Sequence, residues 1–335
     1  MKLLNSKKPA LGNRMKPSFI NHLVCPYDGS RLTLEIDEVH GDEIVQGLMR
    51  TPSGRTYPIR GGVPRFVSDD GYVTTFSRQR RHARAHFDSY RRNFDYGEEA
   101  DLFMRSTGFD LSNLDGLTLD AGCGYGRFLR VLSQTGGEVV GVDLSGDTVE
   151  LAYDFVGREK NVNIVQADLF RLPFPTRHFR RAFSIGVLHH TPDTKSSFLQ
   201  LLPYLEEGGD IAIWVYAPEK KAVSNAWRKL TRRLPLGVVY GWCIVNELLF
   251  VWPRSLPKGG GRFYSIIPGG SLGTPFWQRV MGDFDDLTPR YAHTHSAAEV
   301  VEWFRHAGLI DIKPLSRATS VRARKPLSEA SQMAG

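Results

Sequence analysis

Between residues 117 and 216 the chain alternates short, almost wholly apolar runs with longer stretches whose apolar positions recur every three or four residues. Apolar runs of strand length read as strands buried on both faces, and the periodic stretches read as amphipathic helices. Their alternation predicts βαβ units and a mostly parallel sheet with helices on both faces, a doubly wound α/β core over residues 115–216. The pattern differs upstream. Within residues 21–70, Leu32-Thr33-Leu34-Glu35-Ile36 alternates with period two, and Gly41-Asp42 and Ser53-Gly54 supply turns, so a small β-rich module is expected there. Residues 1–20 read as a solvated tail, and 76–114 as a helical lead-in to the core. Downstream, residues 217–290 interrupt the pattern with Pro, Gly and aromatic side chains. A closing helix (Ala297–His306) and a last strand (Leu309–Pro314) complete the core within 291–318, and 319–335 reads as a second tail.

Composition narrows the class. Of the 335 residues, 41% are apolar and 24% charged, which excludes a wholly disordered chain. The formal charge of +7 would suit nucleic acid or an anionic membrane, yet is common among enzymes with small substrates. Cys25, Cys123 and Cys243 lie too far apart for a disulfide framework and are too few for a four-cysteine zinc site, so a reducing, cytoplasmic setting is expected. No apolar run follows the basic N-terminus, so no secretory signal is read there. The longest apolar stretch, Leu236–Trp252, contains Asn246 and Glu247, which argues against a membrane-spanning helix. Arg78, Arg80, Arg81, Arg84, Arg91 and Arg92 form a basic cluster that fits either a solvated helix face or a phosphate-binding surface.

The chemistry-bearing signal is Leu117-Thr-Leu-Asp120-Ala-Gly122-Cys-Gly124-Tyr-Gly126-Arg127, a strand that runs into alternating glycines and opens a helix. Glycines allow a tight turn and close ligand approach, and the helix start offers free N–H groups. Dinucleotide sites need G-x-G-x-x-G beside a pyrophosphate, whereas here the spacing is G-x-G-x-G and Arg127 takes the place of the third dinucleotide glycine. S-adenosyl-L-methionine has no phosphate; it needs room for a methionine tail and an acceptor for its ammonium, a role that suits Asp120. Asp143 follows 23 residues later at a second strand end, placed for the ribose hydroxyls. Asp168 ends a third strand, placed for the adenine amino group, and Phe183-Ser-Ile-Gly186-Val-Leu-His189-His190 leads from a fourth into the catalytic mouth. Any one of these acids could be a strand-end cap; the order and spacing of all four strand ends point to a cofactor site.

Over residues 115–216 these motifs resemble the class I S-adenosylmethionine-dependent methyltransferases of the type 11 kind. The resemblance implies a Rossmann-like, seven-stranded sheet with the cofactor across the strand ends. It implies Asp120, Gly122, Gly124 and Gly126 as the methionine-side loop, Asp143 and Leu144 at the ribose, Asp168 and Leu169 at the adenine, and Gly186 at the mouth. Two departures stand out: Arg180-Arg181 replaces an acidic residue before the fourth strand, and Glu207 replaces a proline before Gly208-Gly209. The segment Tyr57–Pro64 resembles the close of Trm112-like zinc-ribbon modules. Asp28, Thr51 and Gly54 stand where thiols would be, and tetrahedral zinc needs about four N or S ligands, so a metal-free relic is expected.

Methyl transfer to a hydroxyl is helped by a general base, most often His. His189 and His190 at the fourth strand's end, and His293 and His295 in the Asp285–His295 segment, are weighed as the base. His189, His293 and His295 are kept as the catalytic candidates, each with an ordinary reading as packing or surface loop, and packing is the favoured reading of His190. The insertion 217–290 is the expected acceptor-binding lid, and its stretch 236–252 fits either a lid helix or peripheral membrane contact. The leading reading is a methyltransferase acting on oxygen of a small-molecule, glycan-type or lipid-linked acceptor. An RNA methyltransferase, or a cofactor-binding protein with lost or changed chemistry, are the alternatives. Nucleic acid is disfavoured because no basic groove studded with aromatics is seen.

Overall fold

The computed structural model describes residues 15–41, 43–67, 87–88, 90–218, 222–255 and 276–328. Four strands form an antiparallel sheet in the order β1 (Thr33–His40), β2 (Glu43–Arg50), β3 (Thr56–Arg60) and β4 (Val63–Pro64). Met15 and the short 3-10 turn Pro17–His22 belong to this module: Met15 is buried and pairs its backbone with Ile44. The expected tail therefore ends before Met15. Apolar side chains at Met15, Phe19 and Leu23 bury against the sheet, which a solvated tail would leave in water.

The second sheet is made of β5 (Leu117–Ala121), β6 (Glu138–Asp143), β7 (Val162–Gln166), β8 (Phe179–Ile185), β9 (Leu205–Trp214), β10 (Ile310–Pro314) and β11 (Ser320–Arg324). Its order is β10-β11-β9-β8-β5-β6-β7. β5 through β9 pair in parallel, and β11 pairs antiparallel with both neighbours. This is the mostly parallel, seven-stranded α/β architecture expected from the pattern. One boundary differs. The strand seated beside β9 is β11, from the expected C-terminal tail, and the expected last strand is the outer edge, β10. The reason is burial: Val321 and Ala323 are buried, whereas β10 is exposed at four of its five positions.

Helices α1 (Tyr96–Thr107), α2 (Arg127–Leu132), α3 (Gly146–Val156), α4 (Thr194–Leu199), α5 (Ala222–Thr231), α6 (Leu236–Ser255), α7 (Phe276–Leu287) and α8 (Ala297–His306) complete the described elements. Asp95 caps α1 by accepting from the Glu98 N–H, and Gly108 ends it in the left-handed region at φ 64°. Most of the basic cluster lies outside the described residues, as does the middle of the insertion. The small sheet is joined to the core through Arg65, which is 6% exposed, donates to Gln166 Oε1 at 2.9 Å and pairs with Glu150 at 2.9 Å. One apolar cluster runs through both sheets, from Phe19, Tyr57 and Phe66 to Leu119 and Val165.

The two departures from the family pattern have local partners. Arg181 is nearly buried and pairs with Asp115 Oδ1 at 2.8 Å, and Arg180 donates to the Gly208 carbonyl at 2.6 Å. Glu207 pairs with Arg177 at 3.1 Å. In the insertion, α6 and α7 share a small core of Val239, Cys243, Val280, Phe284 and Leu287. The polar residues that interrupt the apolar stretch face α7: Asn246 donates to Asp283 at 2.7 Å, and fully buried Glu247 accepts from Arg279 at 2.6 Å. Among the described residues no helix is long and apolar enough to cross a membrane.

Candidate cofactor and acceptor site

A cavity of about 310 Å³ opens at the carboxyl ends of β5, β6, β8 and β9. That is the end of an open parallel sheet where ligands bind, and the volume is in the range of small-molecule sites, about 300–1,000 Å³. One half is walled by Gly122, Cys123, Gly124, Asp143, Leu144 and Leu169. The other half is walled by Gly186, His190, Trp214, Tyr216, Asp285 and Arg317.

The glycine loop follows from its contacts. Gly122 has φ 90°, and a Cβ there would lie 2.4 Å from Val187 Cγ1, so no larger residue fits. The Gly124 N–H donates to Asp143 Oδ2 at 3.0 Å, while Asp143 Oδ1 accepts from the Ser145 N–H at 3.0 Å. Two backbone donors thus fix the carboxylate at the cavity wall. Gly126 opens α2 and lets it approach α3, since a Cβ would meet Val156 at 3.0 Å. Tyr125 is covered by the lead-in segment through ring contacts with Phe87 and Tyr90, at 5.9 and 5.0 Å between centroids.

Asp120 is 2% exposed and sits behind the loop rather than on the wall. Its Oδ2 has no hydrogen-bond partner, and burial, with Asp143 adding a smaller repulsion, holds its carboxyl well above the usual range. An orphaned buried carboxylate beneath a glycine cradle fits a ligand that carries an ammonium group. Asp168 also stands off the wall, accepting from the Phe170 N–H at 3.0 Å, and its neighbour Leu169 reaches the cavity.

The histidines rearrange the expectation. His189 is fully buried, with its ring 3.7 Å from that of Tyr216, and does not line the cavity. His293 is fixed by its backbone, donating to the His189 carbonyl at 2.9 Å. His295 uses both ring nitrogens elsewhere, on Glu299 Oε1 at 2.8 Å and Thr194 Oγ1 at 3.0 Å. None of the three catalytic candidates reaches the wall. His190 does, and its Nδ1 donates to the Tyr291 carbonyl at 2.9 Å, so Nε2 carries the lone pair of the neutral ring. The Tyr291–His295 segment thus packs against His189 and His190, pinned also by the His295 N–H to the Tyr216 carbonyl at 2.9 Å.

Three wall residues carried no sequence signal as site residues: Trp214, Tyr216 and Arg317. Burial pushes the Tyr216 hydroxyl up, with Asp286 and Asp285 adding to it. Asp285 lies in the last turn of α7, an unfavourable place for an acid because of the helix dipole. That end of α7 is held from α5, where Arg228 Nε donates to the Asp286 carbonyl at 2.9 Å and Thr231 to the Leu287 carbonyl at 2.7 Å.

Residues 119–213 match the family model described as a methyltransferase domain. The probable tRNA methyltransferase 9B of Mus musculus is 33% identical over 108 residues, covering 31% of this chain and 23% of that protein. The methyltransferase GfsG of Streptomyces halstedii is 26% identical over 194 residues, or 55% of this chain and 66% of that protein. The chain spans about a quarter of the length of the first curated relatives it matches. Among solved structures, phosphoethanolamine N-methyltransferase 2 of Haemonchus contortus covers 81% of this chain and 62% of its own at 16% identity, with a TM-score of 0.47. The matched segment coincides with the strand–glycine loop–strand region that walls the cavity, so residues 119–213 are similar to a methyltransferase domain and are set in a mostly parallel, seven-stranded α/β sheet.

Proposed function

We propose that the chain transfers a methyl group from S-adenosyl-L-methionine to an oxygen of a small-molecule, glycan-type or lipid-linked acceptor. The observation that carries this reading is a single cavity whose wall includes both the glycine loop with Asp143 and the His190–Trp214–Tyr216–Asp285 face. When bound, the cofactor supplies an electrophilic methyl on a sulfonium. The chain's own residues do the rest. Asp120 receives the ammonium, Asp143 the ribose hydroxyls with Leu144 beside them, and Leu169 flanks the adenine with Asp168 at its amino group. Gly186 keeps the mouth open beside Trp214, because a Cβ there would lie 3.1 Å from the indole. Holding acceptor and donor collinear is the main task of such a site. His190, with its tautomer set by Tyr291, takes the proton from the acceptor hydroxyl in this reading.

The small sheet reads as a Trm112-like module whose zinc has been replaced by side-chain bonds. Asp28 accepts from the Ser30 N–H at 2.9 Å, Thr51 Oγ1 accepts from the Arg55 N–H at 2.9 Å, and the Arg55 guanidinium lies 4.4 Å over the Tyr27 ring, tying the two turns together. Cys25, Cys123 and Cys243 are thiols not joined in disulfides, and a cytoplasmic setting is part of this reading. Methylation of RNA is the second reading, supported by the mouse relative's name. Incubation with methyl-labelled cofactor and separate small-molecule, lipid and RNA fractions distinguishes them: label in the first two supports the proposal, and label confined to RNA replaces it.

A further inference from the structure

The arginines that the fold takes out of water are mostly matched by acids. Arg65 pairs with Glu150, Arg127 with Glu99, Arg181 with Asp115 and Arg279 with Glu247. Arg317 is the exception on the cavity wall. It is half-buried, and among the described residues no carboxylate is ion-paired to it. Its guanidinium carbon lies 3.4 Å from the centroid of the Trp214 ring, and its Nη1 donates to Ser106 Oγ at 2.9 Å. Neither neighbour carries a compensating charge.

The hairpin turn that carries Arg317 is fixed in place. The Trp214 indole N–H donates to the Ala318 carbonyl at 2.9 Å, and Thr319, held at φ 62°, donates its hydroxyl to the Val215 carbonyl. A left-handed conformation at a β-branched residue is costly and persists only where the surroundings impose it. The guanidinium is thus pre-positioned over an aromatic face, and among the described residues no acid is ion-paired to it. Burial, with Arg127 adding repulsion, lowers its pKa to about 10, the direction expected of a cation that lacks its counter-charge.

We propose that Arg317, stacked on Trp214, is the subsite for an anionic group, carboxylate or phosphate, on the methyl acceptor. This rests on the cavity being the methyl-transfer site. Position favours the acceptor as the source of the anion. Arg317 sits in the β10–β11 turn, beyond β9 and on the opposite side of β8 from Asp143 at the end of β6. Planar bidentate recognition of carboxylate or phosphate is what a fixed guanidinium provides and an ammonium does not. The other source of the same chemistry would be the methionine carboxylate of the cofactor.

Calorimetry on the full chain separates these. The parent and Arg317→Gln are titrated with S-adenosylhomocysteine, with 5′-methylthioadenosine (which lacks the amino-acid tail), and then, at saturating S-adenosylhomocysteine, with benzoate and phenyl phosphate as probe anions. The expected result is near-parental affinity of the variant for both nucleosides and a loss of about tenfold to a hundredfold for the anions, the size of a charge-assisted pair. Arg317→Lys should recover part of that loss. Retained nucleoside binding also reports that the variant is folded. Equal anion binding by parent and Arg317→Gln, or none by the parent, overturns the proposal. A loss for S-adenosylhomocysteine but not for 5′-methylthioadenosine assigns Arg317 to the cofactor carboxylate and overturns it too. Failure of the parent to bind S-adenosylhomocysteine at all would instead remove the underlying functional reading.

Discussion

The backbone N–H of Gly124 donates to Oδ2 of Asp143 at 3.0 Å, joining the loop after β5 to the end of β6 across 19 residues of sequence. One carboxylate therefore shapes the glycine loop and faces the cavity that loop encloses. Replacing Asp143 with Ala should weaken S-adenosylhomocysteine binding by about ten- to a hundredfold, from loss of charge-assisted hydrogen bonds of about 1.5–3 kcal/mol. Asp143→Asn, which keeps one acceptor oxygen, should lose less. Calorimetry reads both, and an unchanged affinity in folded Asp143→Ala would remove the residue from the site.

Asp120 gives the cofactor site a pH signature. Its carboxyl is raised well above the usual range in the free protein, first by burial and then by Asp143. A raised acid favours the fold at low pH, and that contribution is lost as pH rises through the folded-state value. An ammonium placed beside it favours the ionised form. Cofactor affinity should therefore rise as pH passes through the free-protein pKa of Asp120, and binding below that pH should release a proton. Titrations in buffers of different ionisation enthalpy measure the release. A pH-flat affinity with buffer-independent heats would exclude the pairing, and Asp120→Asn should abolish the effect.

His190 should separate from the other histidines in kinetics. His190→Gln is expected to lower turnover by about 10²–10⁴, the usual contribution of general-base catalysis, with cofactor affinity nearly unaltered. His295→Ala breaks two side-chain contacts, to Glu299 and Thr194, and should cost stability of about 1 kcal/mol per bond rather than turnover. If His293→Ala or His295→Ala lowers turnover as steeply as His190→Gln while the variant stays folded, the base has been misassigned.

His178 ties the small module to the core and should make the fold acid-sensitive. Its Nε2 lies 3.0 Å from His22 Nδ1, and burial, then the neighbouring His22, lower its pKa to about 4. The folded state thus resists a proton that the unfolded chain accepts below about 6.5. Stability should fall as pH drops from about 6.5 toward about 4 and change no further from this source below that. The comparison of denaturant midpoints of the parent and His178→Gln across this window isolates the effect; parallel pH profiles would refute it.

The small module should fold without zinc. The Cys25 thiol lies 3.2 Å from the Tyr57 hydroxyl in a buried contact, and the turns that zinc would clamp are held by Asp28 and Thr51. Metal analysis of protein purified without added zinc should give well under one equivalent. A full equivalent that resists mild chelation would reinstate a metal site.

The local sequence determined the doubly wound core and the glycine loop. Period-two and period-3.6 apolar patterns are properties of neighbouring residues, and the loop's alternating glycines with acids at strand ends is a linear code. Of the residues that code singles out, Gly122, Gly124, Asp143, Leu144, Leu169 and Gly186 line the cavity, and Asp120, Gly126 and Asp168 do not. What the linear code cannot express is which distant segments meet. That His190 lines the cavity while His189, His293 and His295 do not, and that β11 lies beside β9, depends on pairings across about a hundred residues, such as His190 with Tyr291 and Thr319 with Val215. Arg317 stands in an ordinary polar turn, and only the antiparallel return of the chain lays it on Trp214. The glycine-loop half of the cavity is local because backbone N–H groups and neighbouring strand ends form it. The other half is assembled from the ends of β8 and β9, the insertion and the final hairpin, so tertiary packing alone decided it.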